Sequence, residues 1–349
     1  MSARPVPTLR VLWTHNFDPD KPNSQVYMNT AAAGVRARGV DLHLEYLGNL
    51  RSIPNVLRAR RRVRELSKEF DLVHAQYGSA CALATTAAVG VPRVLSIRGN
   101  DWSVHRERIG FYYIHTRLAR VMTRLAIRRY DCVISVSNRM AGELRRVTGV
   151  PNVVTIPSPI DVTRFVPRDK REARAELGFA GDQRKWILFN ALNLNDPIKR
   201  FPLAKAAFEM ANAKRGDLEL RVAHDLPHAM LPLYAAACDV ILCTSETEGW
   251  PNSVKEALAC NVPFVSTDVS DLREIARQEP TCRVCAPDAA ALAGGICAAL
   301  DTTGSSELRK YVAPMSLEAS SNGLVGIYES LVASPRPSRS AAAHISVGD

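Results

Sequence analysis

Residues 243–257 read Cys-Thr-Ser-Glu-Thr-Glu-Gly-Trp-Pro-Asn-Ser-Val-Lys-Glu-Ala. An apolar strand ends at Cys243, a polar loop follows, and a helix begins near Ser253. In an open α/β sheet a ligand binds beyond the carboxyl end of a strand, facing a helix N-terminus. Gly249 lets the backbone come close to a bound group, and the unpaired N–H groups of a first helical turn favour an anion. A plainer reading stands beside this one. Ser253 and Glu256 have the Ser-x-x-Glu spacing of a capping box, which would satisfy those amides internally. Glu248 would then be a solvated loop carboxylate.

Other polar clusters also follow apolar runs. Lys199 and Arg200 lie in Asn-Leu-Asn-Asp-Pro-Ile-Lys-Arg-Phe, residues 193–201. They read either as a phosphate-binding pair or as ordinary exposed cations. Arg98 and Asp101 follow the run at 93–97 and are acceptor or phosphate contacts, or a structural pair with each other. His74 reads as a packing or capping residue at a strand end. Cys282 and Cys285 have metal-ligand spacing, but no second such pair completes a four-cysteine site. In a strand their thiols would point to opposite faces. No metal site is expected.

The elements that must position these residues alternate short apolar runs with longer helical ones, the pattern of α/β structure with parallel sheets. Strands are expected at 9–13, 42–46, 72–75, 93–97, 132–136 and 153–156, and again at 186–189, 218–223, 240–243, 263–266 and 282–284. At 349 residues the chain has the length of two domains. Pro157-Ser158-Pro159 and Pro167 carry turn chemistry between them. The expected division is a first domain at 1–165, a second at 166–315, and a final helix at 316–332 that packs back on the first. A tail at 333–349, rich in Ser, Pro, Arg and Ala, is expected to be disordered. No apolar run reaches the roughly 20 residues of a membrane span. The first residues lack the apolar core of a secretory signal, so a cytoplasmic protein is expected.

The segment Glu248-Gly249-Trp250-Pro251-Asn252-Ser253-Val254-Lys255-Glu256 resembles the Glu-x7-Glu motif of glycosyltransferase family 4, whose members adopt the GT-B fold of two Rossmann-like domains facing across a cleft. The flanks agree: residues 234–245 resemble the strand before that motif, and residues 256–267 the helix and strand after it. Asp71-Leu72-Val73-His74-Ala75, residues 131–137 and residues 156–165 resemble the family's N-terminal strand, serine-ended strand and interdomain linker. Pro251-Asn252-Ser253-Val254-Lys255 is close to the form in members that build bacterial surface polysaccharides.

The resemblance implies a retaining transfer of sugar from a nucleotide-diphosphate donor to an acceptor hydroxyl, without metal or other cofactor. Glu248 would bind donor-sugar hydroxyls and Glu256 the ribose. Backbone amides around Trp250 would face the sugar and diphosphate, those of Asn252, Ser253 and Val254 being able to donate. Lys199 matches the lysine that meets the diphosphate. The chain departs from the family in three places. Asn190-Ala191 replaces the usual glycine-arginine, for which Arg200 is a substitute. Asn23 and Ser24 stand where many members have paired glycines, as acceptor or phosphate candidates, and Arg98 stands where many present a histidine.

The net charge is +10, concentrated in the stretches 51–70 and 105–129. Arg117, Arg120, Arg124 and Arg128 recur at helical spacing beside Phe111, Tyr112 and Tyr113. This combination suits an anionic membrane surface and a lipid-linked acceptor, with the enzyme peripheral on the inner face of the cytoplasmic membrane. No nucleic-acid module accompanies the charge. Two rivals remain in view: a catalytically silent GT-B subunit that binds a partner or sugar, and a nicotinamide enzyme. The second would need glycines after the first strand, and residues 14–24 contain none.

Overall fold

The computed structural model describes residues 8–18, 20, 25–99, 101–103, 111–224, 226–302 and 307–334. Asn23, Ser24 and the tail from 335 onward therefore lie outside the described residues.

The first half alternates β1 (Arg10–His15), α1 (Val26–Arg36), β2 (Asp41–Tyr46), α2 (Ile53–Leu66), β3 (Leu72–Ala75), α3 (Ser79–Thr85), β4 (Arg93–Ile97), α4 (Phe111–Ile127), β5 (Cys132–Ser135), α5 (Asn138–Thr148) and β6 (Val153–Thr155). All six strands are parallel, in the order β2-β1-β3-β4-β5-β6. The second half runs α6 (Lys170–Glu176), β7 (Lys185–Asn190), α7 (Phe201–Arg215), β8 (Leu218–Ala223), α8 (Leu231–Ala237), β9 (Val240–Cys243), α9 (Asn252–Ala259), β10 (Phe264–Thr267), α10 (Leu272–Gln278), β11 (Arg283–Cys285), α11 (Ala289–Asp301) and α12 (Leu317–Ala333). Its five strands form a second parallel sheet, β11-β10-β9-β7-β8. This is the expected GT-B architecture of two α/β domains.

The strands are short and apolar because both faces of a parallel sheet are covered by helices. β3, β5, β9 and β10 are buried at every position. Helices α6 and α10 are seven residues each, too short to show a clear helical period in sequence. Helix α3 is fastened at its start by the Asp101 carboxylate and Thr123 Oγ1, which accept the amides of Gly78 and Ser79.

Helix α12 returns to the first sheet. The Tyr328 hydroxyl accepts from the Trp13 indole at 3.0 Å and bonds His74 Nδ1 at 2.6 Å, while His74 Nε2 meets Ser96 Oγ at 2.9 Å. His74 is fully buried, and burial together with Arg98 holds its pKa well below the ordinary value. It packs within the core network. Gly34 on α1 has no side chain because Ser321 Oγ and Leu317 of α12 lie where one would be, 2.2 and 2.7 Å from a would-be Cβ.

Candidate functional site

Each sheet reverses its strand order once, and a crevice opens at the carboxyl ends of the strands on either side. In the second sheet the reversal lies between β7 and β9. The loop after β7 carries Lys199 and Arg200, and the loop after β9 carries Glu248.

These loops are held together by their own polar groups. Lys199 Nζ donates to Glu248 Oε1 at 2.5 Å, and Ser245 Oγ donates to the same oxygen at 2.8 Å. Burial alone would lower the lysine pKa, but the facing Glu248 carboxylate reverses this and raises it, so Lys199 is a fixed cation. Thr244 Oγ1 donates to the Lys199 carbonyl at 2.7 Å and Thr267 Oγ1 to the Ser245 carbonyl at 2.6 Å. Arg200 has a φ of +52°, a left-handed conformation that costs a non-glycine residue roughly 1 kcal/mol. Its guanidinium donates to the carbonyls of Thr244 and Ser245 at 2.7 and 2.9 Å. It therefore braces one loop against the other.

Helix α9 starts at Asn252 with Pro251 as its N-cap and no capping side chain. The capping-box reading fails on register: Ser253 lies inside the helix, and Glu256 turns elsewhere. Glu256 Oε2 accepts from Asn190 Nδ2 at 3.3 Å, and burial pushes its pKa up to about 7 against the pull of Lys255 and Asn190. The position that departs from the family pattern, Asn190, thus touches the second glutamate of the motif. The first-turn amides of Asn252, Ser253 and Val254 stay open to an acceptor, while the Val254 side chain belongs to the core. Trp250 is buried, and its indole Nε1 has no hydrogen-bond partner.

The group close to Gly249 comes from the opposite domain. A Cβ on Gly249 would stand 1.9 Å from the Arg98 carbonyl oxygen. The two domains meet there backbone to backbone. They also meet where Asp271 accepts from the amides of Asn138 and Arg139, both at 2.8 Å, capping the start of α5 from the other domain. Arg139 pairs with Asp268 at 2.9 Å alongside.

Arg98 and Asp101 meet through the Arg98 backbone amide and not as the side-chain pair foreseen. The Asp101 carboxylate is fully buried and accepts the backbone amides of Gly78 (2.8 Å), Gly99 (2.8 Å) and Arg98 (3.0 Å). The Arg98 guanidinium bonds the carbonyl and side chain of Gln76 and the Ser158 hydroxyl, and lies 4.5 Å from the centre of the Tyr27 ring. Both residues shape the loop that touches Gly249.

Sequence reasoning passed over three groups. Lys255 is 1% exposed, donates to the Ser158 carbonyl at 2.7 Å, and is lowered by burial to about 8. Its signal was present: α9 buries residues on most of its circumference, so a lysine within it must find a partner. Asp271 gave no local signal, because its helix lies in the other domain. At the first sheet's reversal, between β1 and β3, His15 stacks on Phe17 and packs against Tyr46. Its Nδ1 and the Nε2 of buried Gln76 have no hydrogen-bond partner.

Comparison with known proteins gives this arrangement a family. A model described as Glycosyltransferase Family 4 matches residues 9–164, and one described as Glycosyl transferases group 1 matches residues 205–302. The chain belongs to the group 1 glycosyltransferases. This glycosyltransferase is similar to TuaC of Bacillus subtilis, named for teichuronic acid biosynthesis, with 27% identity over 222 residues, 59% of this chain and 55% of that protein. It thus spans little more than half the length of that relative. It is also similar to the lipopolysaccharide core biosynthesis mannosyltransferase LpsB of Rhizobium meliloti, 25% identical over 260 residues, 64% of this chain and 73% of the relative. Among solved structures, HepE of Anabaena in complex with UDP and glucose superposes with a TM-score of 0.68 at 15% identity, covering 93% of this chain and 100% of that one. That likeness establishes the shared GT-B fold.

Proposed function

We propose that this glycosyltransferase moves a hexose-type sugar from a nucleoside-diphosphate donor to an acceptor hydroxyl with retention, in bacterial surface polysaccharide or glycolipid assembly on the cytoplasmic side. The carrying observation is the half-buried Lys199–Glu248 pair beside an uncapped helix N-terminus, at the strand reversal of the second sheet. Glu248 meets hydroxyls of the donor sugar, Glu256 with Asn190 the ribose, and the Asn252–Val254 amides the diphosphate. As the glycosidic bond breaks, charge grows on the departing diphosphate, and Lys199 is a preset cation for it, worth roughly 3 kcal/mol of barrier. This reading calls for no metal.

Retention follows if the leaving phosphate oxygen takes the acceptor proton on the face it has just left, through an oxocarbenium-like state. We assign no side chain as base. The acceptor enters from the first domain, where His15 Nδ1 and Gln76 Nε2 are polar atoms without partners. A lipid-linked acceptor fits the arginine-rich first domain.

A thermal-shift screen of UDP, GDP, ADP and their sugars tests the donor half. A ligand at 100 times its Kd stabilises by about 2.7 kcal/mol, so at least one should raise Tm at millimolar concentration, and no shift with any overturns the reading. Lys199→Ala and Glu248→Ala should abolish transfer and donor hydrolysis with the fold intact. A wild-type protein that binds donor without any turnover is instead a silent binding subunit.

A further inference from the structure

Helix α4 turns much of its aliphatic surface outward. Its buried face carries small side chains, Thr116, Ala119, Thr123 and Ala126, against the neighbouring loop and α3. Four of its large aliphatic residues nevertheless face solvent: Ile114 is 64% exposed, Leu118 54%, Val121 51% and Leu125 62%, while Ile127 at its end is fully buried. At about 100° per residue these four fall in one stripe roughly 60° wide. The rotation of the helix is locked. Thr123 Oγ1 donates to the Asp101 carbonyl at 2.9 Å and accepts the Ser79 amide at 2.7 Å, and Arg120 turns inward over Trp102 to pair with Glu143. The stripe cannot roll into the core.

Exposed Arg117, Arg124 and Arg128 border one side of the stripe, and no acidic residue occurs between 111 and 130. Helix α2, in the same layer beyond α3, repeats the pattern with exposed Ile53 and Leu57 followed by Arg61 and Arg64. Among the described residues no helix is long and apolar enough to cross a membrane.

We propose that the outer face of α4, extended by the start of α2, is a docking surface for an anionic lipid bilayer, with Ile114, Leu118, Val121 and Leu125 seated among the acyl chains and the arginines on the headgroups. Charge decides the occupant. A second copy of the chain would bring the same patch against itself in a two-fold dimer, setting arginines against arginines with no acid on the helix to answer them. A phosphatidylglycerol surface complements that positive charge instead, each arginine near such a surface favouring partition by about fivefold. The inference builds on the reading of a lipid-linked acceptor, but its test needs no turnover, so donor-site and membrane readings fail separately.

Flotation of the full chain with vesicles of phosphatidylcholine alone, or mixed with about one-third phosphatidylglycerol, reads the surface directly. The protein should rise with the anionic vesicles, remain below with neutral ones, and release at high salt. Leu118→Asp with Val121→Asp should reduce anionic binding at least tenfold, and Arg124→Glu by about fivefold or more, with unchanged thermal melts and unchanged nucleotide-induced shifts. Equal flotation of wild type and the double aspartate variant would overturn the proposal, as would no flotation of wild type. A dimer in light scattering that the double variant converts to monomer, without vesicle binding, would assign the face to a second copy.

Discussion

Placing a methyl group on Gly249 separates catalysis from donor capture, because the obstacle it meets lies in the other domain. The alanine Cβ would stand 1.9 Å from the Arg98 carbonyl oxygen and 2.7 Å from Val136 Cγ2. Real Cβ atoms essentially never come within 3.0 Å of another heavy atom, so the Arg98 loop must retreat by more than about 1 Å. That loop is pinned by three amides on Asp101 and by the Arg98 side chain on Gln76 and Ser158, so the relief comes from parting the domains. A misplacement of about 1 Å between reacting groups costs on the order of a hundredfold in rate. The expected result for Gly249→Ala is a fall of about a hundredfold in kcat/KM for transfer, with nucleotide affinity changed less than about threefold, since the donor contacts lie in one domain. Steady-state kinetics with the best nucleotide sugar, isothermal titration with its nucleoside diphosphate, and small-angle scattering for the opening measure the three quantities. Transfer within about threefold of wild type would refute the idea that this contact belongs to the working conformation.

Lys199→Gln should lower kcat by about a hundredfold or more and weaken nucleoside-diphosphate binding, read by titration, because it removes the fixed cation and leaves Glu248 without its partner. Glu256 carries a carboxyl raised to about 7 by burial, above its unfolded value. The folded state therefore holds a proton that the unfolded state has released, and stability should fall as pH rises from about 4.5 to 7. Glu256→Gln should flatten that stretch of a Tm-against-pH curve. Asp101→Asn turns one of the two carboxylate oxygens that accept these three amides into a donor and should cost about 2–3 kcal/mol in urea unfolding, with kcat in the surviving folded protein near wild type. A collapse of kcat at full stability would return Asp101 to the cleft as an acceptor contact.

The sequence made the sheets and the donor segment visible because both are local. Buried parallel strands appear as apolar runs, and the strand-loop-helix around Glu248 and Glu256 lies within the one continuous segment Val240 to Ala259. The partners that give those residues their state come from distant segments. Lys199 lies 49 positions from Glu248, and Asn190 lies 66 from Glu256. The capping box was legible and wrong: spacing alone cannot say whether Ser253 stands before the helix or inside it, and Pro251 at the cap decides the matter. Arg98 and Asp101 showed the reverse limit. Their types suit ligand chemistry, yet Asp101 satisfies backbone amides and Arg98 the carbonyl and side chain of Gln76 and the Ser158 hydroxyl, which no sequence motif reports. The arginines of α4 were visible as charge, but the outward aliphatic stripe beside them became apparent only once the buried face was known.

Helix α12 has a consequence for how the molecule is made. The first α/β domain is completed by residues from the opposite end of the chain, with Tyr328 closing the polar network around Trp13 and His74. During synthesis the ribosome releases the first sheet early, but the indole of Trp13 and the ring of His74 wait for their partner until the whole second domain has emerged. The domain that begins first is finished last. The order of assembly should be inverted relative to the order of translation, with the second domain folding as the earlier self-sufficient unit. Any shortening of the chain at its carboxyl end would be felt at its amino end, in the half that carries the first sheet.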